Sequence, residues 1–349
     1  MSSLLSRGRA GARRVAAIVA LLAALTHGPA AGLERGSATG PTSIEVQARV
    51  IDSFKPNEPE LRRFGHLEFR GGLELTSSYR GFGGLSALQM RADGRRFVAI
   101  TDKGNWLTGR IVYEGAQPVG IAEATMAPML DAVGFPLAKR GWYDTEALAD
   151  DGQGALYVGI ERVNRIVRFD FARYGVSARA EPVGTPPALQ TLPHNLGIEG
   201  LVLVPKGLPM AGTLIAFSER DLDRAGNLRA FLIGGPTPGV FTVRRTDGFD
   251  ISDSAVLPSG DVLLLERRYS WSTGVAIRLR RIPLASIAPG AVVDGPALFF
   301  ADLGYQIDNM EGLAVHRTAQ GETVLTLVSD DNFSSLQRTL LLQFTLLED

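Results

Sequence analysis

The sequence predicts an all-β fold, a β-propeller of five four-stranded blades, on two observations. First, five segments share one pattern, in which a short motif around a polar residue precedes an apolar, strand-like run. Their starts lie 60, 53, 53 and 59 residues apart, at Gly84, Asp144, Gly197, Asp250 and Asn309. Second, no long stretch of the body shows helical periodicity. Repeats of about 50–60 residues, each with several short strands, are typical of propellers, and the count favours this fold over a large β-sandwich.

The first strand of each repeat follows its polar motif. These segments read GGLSAL (83–88), DTEALAD (144–150), GIEGLVLV (197–204), DISDSAVL (250–257) and NMEGLAV (309–315). The second strands read RFVAITDK (96–103), ALYVGIER (155–162), GTLIAFSER (212–220), DVLLLER (261–267) and TVLTLVSDD (323–331). Consecutive apolar residues in them, such as Val262 to Leu265, predict burial on both faces, as when sheets pack on sheets.

The two ends of the chain are expected to close the ring together. The last repeat ends after its third strand, whereas the N-terminal region holds two spare strands, SIEVQARVID (43–52) and HLEFRGGLEL (66–75). One of these can complete the last blade. Six blades are the alternative, if the N-terminal strands and residues 107–130 form another.

The first 32 residues are interpreted as a secretory signal peptide. Four arginines precede the apolar run VAAIVALLAAL (15–25), and small residues follow it. Eleven apolar residues are too few to span a bilayer, so we expect no stable membrane span after cleavage and a periplasmic or secreted protein. We divide the remaining chain into an N-terminal segment, 33–65, and a propeller domain, 66–349.

Composition excludes several function classes. Removing residues 1–32, which carry four arginines and no acids, changes the formal charge from −1 to −5. No basic tract indicates a nucleic-acid partner. The chain has no cysteine, which excludes thiol catalysis and thiolate metal sites. No dinucleotide or phosphate-loop motif is present, so a small-molecule substrate is expected without a nucleotide cofactor.

Three glutamates occupy the same motif position and are expected to converge on the central channel. They are Glu146, Glu199 and Glu311, and Ser86 and Ser254 (or Asp253) take the equivalent places in the other two repeats. In a propeller the first strand of every blade lines the channel, so corresponding residues form a ring. Buried carboxylates repel one another unless they are protonated or bind a cation.

A second set of acids ends the second strands and completes the candidate metal site. Oxygen-only ligands favour Ca²⁺, with Mg²⁺ as the weaker candidate. The basic residues that follow four of these acids are candidates to bind the substrate. Trp106 and Trp271 follow second-strand acids and are candidates to line the site. The acids are Asp102, Glu161, Glu219, Glu266 and Asp330, and the basic residues are Lys103, Arg162, Arg220 and Arg267.

Several segments resemble the bacterial phytase-like domain family, named for esterase-like activity of phytase. They are GGLSAL, AITDKGNW, DTEALA, GIEGL, DNMEGLAV and LVSDDNFSSLQRTLLLQF, and the resemblance covers about residues 66–346. It implies an exported β-propeller distantly related to β-propeller phytases, which hydrolyse phosphomonoesters with Ca²⁺ held by acids.

Three hypotheses for function follow. The first is a Ca²⁺-dependent phosphomonoesterase or esterase, in which Glu146, Glu199 and Glu311 are the catalytic residues and the substrate is a phosphate ester or another ester. The second is a non-catalytic periplasmic propeller that binds a partner or serves as a scaffold, its acids paired with arginines or holding a structural ion. The third is a lactonase-like hydrolase with Ca²⁺ in the channel.

Overall fold

A computed structural model of the chain describes residues 40–193 and 196–347, and these form five sheets. The predicted signal peptide lies outside the described residues. Blade 1 contains β5 (Leu85–Met90), β6 (Arg96–Thr101), β7 (Asn105–Glu114), β8 (Gln117–Pro128) and β1 (Thr42–Ser43). Blade 2 contains β9 (Thr145–Asp150), β10 (Ala155–Ile160), β11 (Arg165–Asp170) and β12 (Glu181–Pro182). Blade 3 contains β13 (Ile198–Leu203), β14 (Leu214–Leu222), β15 (Leu228–Ile233), β16 (Gly239–Val243) and β20 (Val292–Val293).

The last two sheets complete a five-bladed propeller. Blade 4 contains β17 (Asp250–Val256), β18 (Val262–Ser270), β19 (Gly274–Ile282) and β21 (Ala297–Ala301). Blade 5 contains β22 (Asn309–Arg317), β23 (Thr323–Asp330), β24 (Thr339–Leu346), β4 (Leu67–Thr76) and β2 (Gln47–Ile51), and β3 (Arg63–Phe64) pairs with β4. The innermost strands, β5, β9, β13, β17 and β22, contact one another around a ring.

The N-terminal strands close the ring, as the sequence predicts. β4 pairs antiparallel with β24, so that Leu73 lies opposite Leu341, and β2 adds outside β4. Closure of this kind covers the sheet edge that the last repeat would otherwise expose. Residues 107–130 form the outer strands of blade 1 and not a sixth blade.

The hydrophobic core consists of five apolar clusters, each between neighbouring blades. In blade 4, Leu263 and Leu265 pack toward blade 5, whereas Val262 and Leu264 pack toward blade 3. This arrangement explains the consecutive apolar residues of the second strands, because adjacent side chains of a strand point to opposite faces and both faces are covered. Around Phe54, an aromatic group fixes the N-terminal segment between blades 4 and 5; it comprises Phe64, Phe69, Phe299, Tyr305 and Phe344.

Helices are short and lie in the connections between strands. The α-helices are α1 (Phe171–Tyr174) and α2 (Pro187–Gln190), and single 3₁₀ turns span Leu137–Arg140, Glu161–Val163, Gly175–Ser177 and Leu284–Ser286. Within residues 40–193 and 196–347, no helix has the length and apolar character needed to cross a membrane.

The innermost strands approach so closely that only small residues fit between them. A Cβ atom added to Gly200 would lie 2.7 Å from Ser254 Oγ of the next blade. One added to Gly312 would lie 2.6 Å from Val328 Cγ2 of the same blade and 3.1 Å from Ala87 Cα of the next blade. The glycine or alanine that follows the polar residue in GLSAL, TEALA, IEGL and MEGLA therefore reflects steric crowding around the channel.

Substitution Gly312→Ala should lower the free energy of unfolding by about 1–3 kcal/mol, because the added methyl group overpacks the contacts with Val328 of the same blade and Ala87 of the next. Gly184→Ala is the matched control, since its Cβ would meet no atom within 4 Å and its backbone is not left-handed. The control should change the unfolding free energy by less than about 1 kcal/mol. Urea unfolding measures both, and equal effects would contradict the proposed crowding.

At one end, the channel opens into a cavity of about 610 Å³. Its lining comes from the C-terminal parts of the innermost strands, including Gln89, Asp150, Leu203, Val256 and His316. The acidic motif residues lie toward the N-terminal ends of these strands. They therefore belong to the other end of the channel.

Candidate functional site

Every innermost strand contains a β-bulge at the same position, and the bulged residue is the polar residue of the motif. In β9, Thr145 pairs with Ile160 and Ala147 with Gly159, so Glu146 has no partner in the strand pairing. A bulge of this kind re-aims the side chain of the extra residue. The bulged residues of blades 1 to 5 are Ser86, Glu146, Glu199, Ser252 and Glu311.

The three glutamates are therefore structurally equivalent, whereas the equivalent residue of blade 4 differs from the expected one. Ser252 is the bulged residue, and neither Ser254 nor Asp253 takes that place. The carboxylate of Asp253 instead accepts hydrogen bonds from the N–H groups of Ser254, at 2.7 Å, and of Leu313 in blade 5, at 2.6 Å. Asp253 thus ties two blades together.

The second strands supply a second ring at the same level. In each blade, the innermost-strand residue just before the bulge pairs with a second-strand residue, such as Thr145 with Ile160 in blade 2. The next second-strand residue is therefore at an equivalent position in all blades. In blades 1, 2, 3 and 5 this residue is an acid. In blade 4, Ile251 pairs with Glu266, so the equivalent residue is the next one, Arg267. The ring consists of Asp102, Glu161, Glu219, Arg267 and Asp330.

Glu266, predicted as a metal ligand, lies one residue away from this ring and points to the opposite face of its strand. It is fully buried, and its carboxylate accepts hydrogen bonds from Arg278 Nε, at 2.6 Å, and from Arg280. A shift of one residue along a strand reverses the face on which a side chain lies. Glu266 therefore belongs to a buried ion network between blades 3 and 4.

Glu161, Glu199 and Glu219 form the candidate metal centre. One oxygen atom of each carboxylate lies within 4.8 Å of the others. Glu161 accepts a hydrogen bond from the N–H of Gly197 at 2.7 Å, and Glu219 lies 3.6 Å from Arg267. Glu199 is buried, and none of the described residues donates a hydrogen bond to it.

Burial and mutual repulsion favour the protonated forms of these acids. Burial raises the pKa of Glu199 well above its usual range, and the charges of Glu146 and Glu219 raise it further. Burial raises the pKa of Glu161 to about 7, against the hydrogen bond from Gly197, which lowers it. Burial also raises the pKa of Glu219, although Arg267 acts in the opposite direction.

The acids of blades 1, 2 and 5 are affected in the same way. Burial, together with the charges of Glu311 and Asp102, raises the pKa of Glu146 and that of Asp330 well above the usual range. Burial raises the pKa of Asp102 to about 6, although the adjacent ammonium group of Lys103, 2.8 Å away, lowers it. The mouth of the channel therefore holds more carboxyl groups than its own cationic side chains neutralise.

A divalent cation fits this arrangement. The donor atoms of the candidate centre are carboxylate oxygens, the ligands preferred by hard cations such as Ca²⁺. In the same acidic ring, Asp102 Oδ1 is buried and has no hydrogen-bond partner among the residues that the structure describes. A bound cation would hold the carboxylates in their ionised forms and relieve their repulsion.

The predicted substrate-binding residues surround the acids, but they are already paired. Arg162 lies 3.7 Å from Asp144 and stacks over the ring of Tyr143, and Arg220 Nε donates to Asp250 at 2.7 Å. Both side chains remain about half exposed. The sequence alone assigns no role to Asp144 and Asp250, which hold these two guanidinium groups. Both are the first residue of their repeat, and this shared position could have identified them as site residues.

Trp106, predicted to line the site, is fully buried and lies in the core. Its ring packs against Phe169 and Phe171 in T-shaped contacts at 5.0 and 5.2 Å. It cannot contact a ligand at the mouth. Tyr269 and Trp271, in contrast, are exposed by 61% and 73% at the tip of the β18–β19 hairpin, which extends beyond Arg267.

Comparisons with solved structures return chains of low sequence identity. The chain is similar to a Bacteroides caccae protein of unknown function, with 12% identity, a TM-score of 0.30 and 69% and 67% of the two chains covered. It is also similar to the β-propeller domain of Myceliophteria thermophila Cps50 (Swd1), with 12% identity, a TM-score of 0.34 and 72% and 67% covered. For U3-55K the identity is 12%, the TM-score 0.36 and the coverage 76% and 96%. The comparison with curated proteins returned no match.

The family comparison extends over most of the chain. The model of the phytase-like family, described as esterase-like activity of phytase, matches residues 80–333. This range runs from just before the first innermost strand to just after the last acid of the ring, and it includes Glu161, Glu199 and Glu219. The chain belongs to the phytase-like family, described as esterase-like activity of phytase.

Proposed function

We propose that the protein is a Ca²⁺-dependent hydrolase of phosphomonoesters or related esters, with its cation at the channel mouth. The observation that carries this proposal is the group of Glu161, Glu199 and Glu219, three mostly buried carboxylates within 4.8 Å. Burying such a group without a cation is unfavourable. Membership of a family described by esterase-like activity supports hydrolysis as the reaction class.

Glu161, Glu199 and Glu219 would hold the ion. When bound, it would lower the pKa of a coordinated water and neutralise oxygens of the substrate. The backbone N–H of Gly197 fixes the carboxylate of Glu161, so this ligand is held in place by the start of β13. Positioning of a ligand by a second group of this kind strengthens a metal site.

The remaining charged residues have roles suited to an ester. Half-exposed Arg162 and Arg220, each held by an aspartate, would bind anionic oxygens of the substrate from the rim of the channel. Burial and the charge of Glu311 raise the pKa of Glu146 well above its usual range, which favours its protonated form. A carboxyl group in that state can donate a proton to a leaving oxygen, which makes Glu146 the candidate general acid.

The location of the protein in this proposal is the periplasm or the exterior of the cell. Support comes from the N-terminal sequence alone, where arginines, an apolar run and small residues follow the order of a signal peptide. Free Ca²⁺ is more available there than in the cytosol, and a site built from carboxylates in an extracellular protein can be of moderate affinity.

The test is hydrolysis of p-nitrophenyl phosphate, p-nitrophenyl acetate and a lactone by purified protein, with EDTA and with added Ca²⁺. Turnover of a phosphomonoester or carboxylic ester should vanish with EDTA and return with Ca²⁺. Loss of a residue that only supports a metal ligand typically lowers metal affinity by roughly 10- to 100-fold. Glu199→Gln removes a ligand itself, so it should lower Ca²⁺ affinity by at least that factor. Glu45→Gln, an exposed glutamate far from the ring, is the matched control and should behave as wild type.

Three outcomes would contradict the proposal. Full activity after metal removal would exclude the cation from the reaction. Turnover of the lactone alone would move the substrate to another class. A wild-type protein that binds Ca²⁺ with no turnover of any substrate would leave a scaffold propeller with a structural ion.

A further inference from the structure

The ring of second-strand residues is broken at one position. Blades 1, 2, 3 and 5 place an acid there, whereas blade 4 places Arg267. Glu266, which precedes it, points away to Arg278 and Arg280. Blade 4 also has Ser252 in place of a first-strand glutamate. Blade 4 is thus the blade whose second strand places a positive charge in the ring and whose bulged residue is a serine.

Arg267 spans the gap between blades 3 and 5. Its Nη1 donates to Asn309 and to Glu311, both on β22, and its Nη2 lies 3.6 Å from Glu219 on β14. Only 21% of its side chain is exposed. A guanidinium group held this way is a fixed monovalent cation, between two carboxylates that belong to the blades on either side of blade 4.

We infer that Arg267 determines how many divalent cations the ring binds and where. It neutralises Glu311 and partly Glu219, so that a second divalent cation between blades 3 and 5 is excluded by charge and by space. The ion is confined to the side of blades 2 and 3, at Glu161, Glu199 and Glu219. This inference rests on the proposed cation site for its location, although not on catalysis.

Arg267 repels a second divalent ion placed between blades 3 and 5. Repulsion between a guanidinium group and a divalent ion falls only as the inverse of their distance, and the effective dielectric constant near a buried site is low. A second ion between Glu219 and Glu311 would have Arg267 as an immediate neighbour, since Arg267 lies 3.6 Å from Glu219 and donates a hydrogen bond to Glu311. With Arg267 replaced by a neutral residue, Glu311 would lose its guanidinium partner and Glu219 one of its cationic neighbours, so both carboxylates would attract a cation more strongly.

The experiment is equilibrium dialysis of purified protein against Ca²⁺, with the number of ions per chain and their affinity measured. Arg267→Gln should bind one more Ca²⁺ per chain than wild type, or the same number at least about tenfold more tightly. Arg168→Gln is the matched control, because Arg168 pairs with Glu181 on the outer strands of blade 2, and it should match wild type. Equal number and affinity for Arg267→Gln and wild type would overturn the inference.

A second variant keeps the test decisive if Arg267→Gln does not fold. Glu311→Gln leaves Arg267 without its closest carboxylate and should weaken Ca²⁺ binding at least about tenfold; unchanged binding would overturn the inference. The two proposals also fail separately. If wild type binds no Ca²⁺ and Arg267→Gln binds one ion, the proposed function fails and the role of Arg267 stands.

Discussion

Replacing Glu266 by glutamine is expected to lower the free energy of unfolding by about 3–5 kcal/mol, the usual effect of breaking a buried ion pair from one side. Glu266 is fully buried, and its two oxygens accept from Arg278 and Arg280. The side chain of Arg280 is 2% exposed, so water cannot replace the lost partner. Glutamine keeps the shape of the side chain but leaves two guanidinium groups without a central negative charge.

The control for this prediction uses the same arginine. Asp247 also pairs with Arg278, at 3.5 Å, but its side chain is 71% exposed. Asp247→Asn should therefore change stability by less than about 1 kcal/mol. Urea unfolding, followed through the fluorescence of buried Trp106, measures both variants. A loss for Glu266→Gln no larger than for Asp247→Asn would contradict a structural role.

Glu266→Gln also distinguishes a structural role of Glu266 from a role in metal binding. The sequence predicts Glu266 as a metal ligand, whereas in the fold its side chain lies outside the ring. Glu266→Gln should therefore keep the Ca²⁺ affinity of wild type under conditions in which both proteins are folded. A weaker affinity would return Glu266 to the cation site.

Much of the fold follows from the repeat in the sequence. The spacing of the five motifs determines the number of blades, and the missing fourth strand of the last repeat indicates closure by the N-terminal region. The short outer strands cannot be foreseen, since β12 and β20 have two residues each. Their position depends on packing against a neighbouring blade and not on a local pattern.

The site is predictable in part, and the errors in blade 4 arise from the register of its strands. The repeated motif aligns Glu146, Glu199 and Glu311, and the bulges preserve that alignment. The similarity of LLLER (263–267) to VGIER (158–162) aligns Glu266 with Glu161. The strand pairing instead places Arg267 at the position equivalent to Glu161. Because alternate residues face opposite sides of a sheet, an error of one residue exchanges a ring residue for a residue between blades. Counting two residues from Asp250, as from Asp144, identifies Ser252.

The metal-free protein is expected to lose stability as the pH rises from 4.5 to 7. The pKa of Glu161 rises from its ordinary value of 4.5 to about 7 in the folded state, and that of Asp102 from 3.8 to about 6, both mainly through burial. Between the two values of each group, the folded state binds the proton that the unfolded state has released. Stability therefore falls with increasing pH in this window, and these two groups leave it constant above the window. A tenfold change in a proton-binding constant corresponds to about 1.4 kcal/mol, so Glu161 alone contributes on the order of 3 kcal/mol.

One group acts in the opposite direction, so the measurement needs a difference between variants. Burial lowers the pKa of His316 to about 4, and this histidine therefore reduces stability as the pH falls from 6.5 to 4. The measured quantity is the unfolding free energy of a variant minus that of wild type. For Glu161→Gln this difference should increase as the pH rises from 4.5 to 7. For His316→Gln it should increase as the pH falls from 6.5 to 4. Urea unfolding in EDTA at each pH gives both curves, and a difference for Glu161→Gln that is independent of pH would refute the raised pKa.

Added Ca²⁺ provides the complementary measurement on the same protein. A cation binds the ionised carboxylates, so its affinity rises with pH and its stabilisation is largest where the metal-free protein is least stable. The dependence of wild-type stability on pH should therefore flatten or reverse in Ca²⁺. Glu161→Gln has neither the titrating proton nor the negative charge of this ligand. Ca²⁺ should therefore stabilise the variant less than it stabilises wild type. Equal stabilisation of the two proteins would place the ion away from Glu161.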